Sequence, residues 1–101
     1  MKHSQDPFNR PMRPDRVDAI RQAAEAFARD PAGIEVAKAS DTFENYQACV
    51  GHVIYQSLAE IAPDTMVAEL QAGLDAAAPT CTAIFKSKDD LLNQSLSLIH
   101  I

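Results

Sequence analysis

Residues 14–31 read PDRVDAIRQAAEAFARDP, and this stretch decides the fold class. Proline has no backbone N–H, so it suits the first turn of a helix and disrupts the interior. Pro14-Asp15 therefore opens a helical block, with Asp15 as its cap and Asp18 three positions on. Val17, Ile20, Ala24 and Phe27 fall at helical spacing on one face, while Arg21, Glu25 and Arg29 stack on the other. Asp30-Pro31 then ends this block and opens the next.

The same punctuation recurs downstream. Asp30 caps a short helix over residues 31–39, weakened by Gly33. Ser40 or Asp41 caps a helix over residues 42–62, the longest expected, with Glu44 completing a capping box. Phe43, Tyr46, Val50, Val53, Ile54, Leu58 and Ile61 give it a wide apolar stripe suited to a central position, with Gly51 as a close approach or a kink. Pro63 ends it. Asp64 or Thr65 starts a further helix along Met66, Val67, Leu70, Leu74 and Ala77, and Pro79 closes that one.

The expected architecture is all-α: a compact bundle of four or five helices around the helix at 42–62. Residues 1–14, with Pro7, Pro11 and Pro14, read as a flexible basic arm, or as one that docks on its own acidic domain or on a second subunit with Phe8 as anchor, and residues 15–101 as one domain. The region after Pro79 carries no comparable punctuation. Ser87 with Asp90 favours a helix from Lys88 to about Leu98. The alternative is α+β, with residues 80–86 and 95–101 as a short strand pair.

Charge narrows the function classes. Residues 1–29 hold six Lys and Arg against four acids, whereas residues 30–79 hold Lys38 against eight acids, and the whole chain carries −5. Nucleic acid is disfavoured as a partner, because phosphate needs clustered cations, and a helix-turn-helix over residues 31–62 would present Asp41 and Glu44 to it. No apolar run approaches the roughly 20 residues needed to cross a bilayer, and no secretory leader precedes Arg16, so a cytoplasmic protein is expected, with Cys49 and Cys81 as reduced thiols.

Chemistry-bearing constellations are sparse. Cys49 and His52, at i and i+3, share a helix face, and Cys81 and His100 would complete a four-ligand set, but no paired C-x-x-C spacing supports a metal. The same Cys–His pair lacks the oxyanion features of a nucleophilic site. His52, Gln56 and Glu60 form a polar row, the pattern of a solvated helix face, and no glycine loop cradles a phosphate. No catalytic set, metal or cofactor is assigned.

Two functions are expected in order. The first is a homodimeric protein-interaction or adaptor module, with Leu96, Leu98, Ile99 and Ile101 as interface residues. An apolar tail of this kind docks in its own core, pairs with another subunit, or is not native coding sequence. The second is a small-molecule binder or enzyme with a pocket between helices, lined by Tyr46, Cys49, His52, Tyr55 and Gln56.

Overall fold

The computed structural model describes the backbone of residues 11–100 and the side chains of residues 11–88. It is all-α, as expected. Five helices follow in order: α1 (Pro14–Arg29), α2 (Pro31–Ala39), α3 (Phe43–Gln56), α4 (Leu58–Ile61) and α5 (Val67–His100). No strand occurs among the described residues. No described helix is long and apolar enough to cross a membrane.

Proline and aspartate act at α1 and α2 largely as expected. Pro14 takes the first position of α1, so Arg13 becomes the residue preceding it and Asp15 lies inside the first turn. Asp15 therefore faces the positive helix end without capping it, because the pre-set proline φ starts the helix one residue earlier than expected. Asp30 does two jobs. Its N–H bonds the carbonyls of Ala26 and Phe27 to close α1, and its carboxylate accepts from the Ala32 N–H at 2.9 Å to open α2. With no loop between them, α2 turns directly across the end of α1. Gly33 is buried in that crossing, where a side chain would run into the Phe27 carbonyl.

The start of α3 lies one residue beyond the expected caps. Thr42 accepts from the Asn45 N–H at 3.1 Å. Ser40 instead closes α2, its N–H bonding Ala37 O and its hydroxyl donating to Val36 O. The continuous helix expected over 42–62 is interrupted. Ser57 leaves helical geometry, bonds back to Ile54 and Tyr55, and separates α3 from the single turn of α4.

The larger correction concerns Pro79. It lies within α5, which runs on for 34 residues and is the longest helix. Neither a helix end at Pro79, nor a strand at 80–86, nor a new start at Ser87 is present. The Ser87 hydroxyl donates back to Ala83 O at 2.7 Å, as in a helix interior. An interior proline costs about 3 kcal/mol. Here the apolar stripe runs through it unbroken: Gly73, Ala77 and Cys81 are buried at successive i+4 positions, and Ile84 and Phe85 are partly buried after them. Pro79 itself faces outward. Burial of the stripe outweighs one lost hydrogen bond.

The core is built from these stripes. Ile20, Ala24 and Ala28 of α1 meet Tyr46, Val50 and Ile54 of α3, with Ala37, Ala62, Ala77 and Cys81 filling the remainder. α5 packs against α1, α2 and α3, so it is the spine that the 42–62 helix was expected to be. Small residues set the spacing. A side chain at Gly73 would collide with Ile20, and one at Gly51 would reach Leu74 Cδ1 at 3.2 Å.

Candidate functional site

The most tightly held polar group is Glu69, at the third position of α5, with its side chain fully buried. Its Oε1 accepts from the Met66 N–H at 2.9 Å, the reciprocal half of a capping box. Its Oε2 accepts from the Arg13 N–H at 2.7 Å and from Arg13 Nε at 2.8 Å, while Arg13 Nη2 donates to Oε1 at 2.9 Å. Arg13 Nη2 also bonds the carbonyl of Asp64 at 2.5 Å. Asp64 has φ of 65°, the left-handed turn that brings the chain from α4 into α5. One carboxylate thus ties the starts of α1 and α5 together. The Arg13 guanidinium, opposed by burial and helped by the Met66 and Arg13 N–H groups, holds the Glu69 carboxyl down at about 2. Residues 1–10 and Phe8 of the expected arm lie outside the described residues, whereas Arg13 and Pro14 are fastened to the bundle.

The five residues expected to line a pocket are divided. Tyr46 is fully buried, its ring stacked on Phe85 at 5.5 Å and tilted against Phe43 at 6.0 Å. Its hydroxyl lies beside the Cys81 thiol and meets no hydrogen-bond partner among the described residues. Burial raises the pKa of both groups. Cys49, His52, Tyr55 and Gln56 are exposed. Of these, His52 and Tyr55 line one shallow groove between α3 and α5, together with Gln47, Ala48, Gly51 and Leu74. Both cysteines are free thiols, Cys49 facing solvent and Cys81 the core. Among the described residues, no group of three or more His, Cys, Asp or Glu is placed to hold a metal ion.

A second groove runs along the seam between α1 and α5. Met12 and Val17 form one side, Ala72 and Ala76 the other, with Asp18 and Arg21 at its edge. Met12 is half exposed, and Val67 at the start of α5 is 82% exposed. Arg21 bridges Asp18 and Glu25, both at 2.7 Å, and Thr80 donates across from α5 to Glu25 at 3.2 Å. The alanines gave no chemical signal in the sequence, although their i, i+4 spacing marks a flat helix face. Leu96, Leu98 and Ile99 fall in the α5 run, but their side chains lie outside the described residues, as does Ile101.

No protein-family model, curated protein or solved structure matches this chain.

Proposed function

We propose that this protein is a homodimeric interaction module of the adaptor type. The observation that carries the reading is the open apolar seam of α1 and α5, where Met12, Val17, Ala72 and Ala76 leave a shallow groove. Two small residues one turn apart let another helix approach closely, and a half-exposed methionine adapts to its surface.

A second copy is the occupant that the charge supports. A two-fold contact sets the same patch against itself, so the patch needs both signs of charge to complement its own image. The seam edge carries Asp18 and Arg21 side by side, with Asp15 one turn before Asp18 on α1. Sedimentation of the native chain and of Ala76→Arg tests the reading. The native chain is expected to be a dimer, and a long cation on the alanine face is expected to give a folded monomer. A chain ending at Gln94 locates the contact: it stays dimeric if the seam is the interface and becomes monomeric if the Leu96–Ile101 tail is.

A further inference from the structure

The groove between α3 and α5 differs from the seam because the charge around it has one sign. No lysine or arginine occurs between Lys38 and Lys86. Glu44 is exposed on α3, one turn before Ala48 in the groove. On the facing helix Asp75 is exposed and accepts from Gln71, a lining residue, at 3.0 Å. Between these acids Ala48 and Gly51 make a low apolar floor and Leu70 and Leu74 a wall, with Gln47, His52 and Gln71 as polar lining. Tyr55, 62% exposed, stands in the same groove as an aromatic available for contact. The Gln47 side-chain oxygen is buried there without a hydrogen-bond donor among the described residues.

These features select an occupant. A second copy would bring the same acidic rim and be repelled. A helix with lysines or arginines flanking an apolar stripe satisfies the whole surface. Its apolar side chains at i and i+4 fit the low floor, and its cations meet Glu44 and Asp75. We propose that the α3/α5 groove docks a basic amphipathic helix of a partner protein. This contact is additional to the dimer and uses a different face, so either can fail without the other.

Fluorescence anisotropy on the full chain tests it. The probe is a labelled leucine/lysine amphipathic peptide of about four helical turns, roughly 14 residues. The controls are its leucine/glutamate counterpart and an oligolysine of equal length. Saturable binding to the leucine/lysine helix is expected, at least about tenfold tighter than to either control and weakened by salt. Ala48→Arg is expected to weaken it about tenfold or more by filling the floor and adding the wrong charge. Ala76→Arg, on the dimer seam, is expected to leave it unchanged. Equal binding to either control, or an unchanged affinity in Ala48→Arg that is folded by circular dichroism, overturns the proposal. A synthetic peptide of residues 1–10 that displaces the probe at lower concentration than the unlabelled probe also overturns it, because the occupant would then be the chain's own arm.

Discussion

Glu69 accepts both the backbone N–H and the guanidinium of Arg13, 56 residues earlier in the chain. The carboxylate is fully buried, while the arginine side chain remains 37% exposed. Helix starts leave N–H groups without partners, and here one side chain serves the starts of two helices. The junction fastens the start of α1 to the start of α5 at one end of the seam between them.

Removing the carboxylate orphans those donors. Glu69→Ala is expected to destabilise the fold by about 3 kcal/mol, as read from urea unfolding. Arg13→Met keeps the two backbone donors on Glu69 and is expected to lower Tm by less. The junction also makes stability depend on pH. The Glu69 carboxyl lies at about 2, below its ordinary 4.5, so its contribution is fully present above pH 5 or so and is lost as pH falls toward 2. Glu69→Gln is expected to flatten the acid limb of the Tm–pH curve in that window. An unchanged limb would show that the carboxylate is not held as described.

Pro79 interrupts the hydrogen-bond ladder of α5 on its exposed face. Pro79→Ala restores an N–H to the Asp75 carbonyl and is expected to stabilise the protein by about 1–3 kcal/mol. A loss of stability would mean that the surrounding packing requires the proline geometry.

Tyr46 buries a hydroxyl that meets no hydrogen-bond partner among the described residues, beside a buried thiol. Tyr46→Phe keeps the ring stacked on Phe85 and removes the unsatisfied group. It is expected to be neutral or stabilising by up to about 1 kcal/mol in thermal unfolding. Native Tyr46 also favours the neutral phenol, so it opposes folding progressively as pH rises above about 10, and the phenylalanine variant is expected to lose less stability there. A cost above about 1 kcal/mol at neutral pH would show that the hydroxyl is engaged.

The local signals were the legible ones. Pro14 and the Asp30-Pro31 pair act on the residues beside them, so the boundary between α1 and α2 follows from sequence alone. Pro79 did not end its helix because its fate depends on Ala77, Cys81 and Phe85 finding partners on α1, α2 and α3, which no local pattern displays. The break at Ser57 has no breaker residue to announce it. The Arg13–Glu69 junction joins residues too far apart in the chain to be paired by inspection. At the candidate sites, His52 and Tyr55 carry side-chain chemistry that is legible in the sequence, and they line one groove. Ala48, Ala72 and Ala76 matter through their smallness, and an alanine-rich sequence gives no means of choosing among its alanines.

The most direct test of the dimeric interaction module is sedimentation velocity at micromolar concentrations. The native chain is predicted to sediment at twice its 11.0 kDa mass and Ala76→Arg at that mass, with equal helical circular dichroism. A native chain that remains a monomer to tens of micromolar, or an Ala76→Arg variant as dimeric as the native protein, would contradict the account.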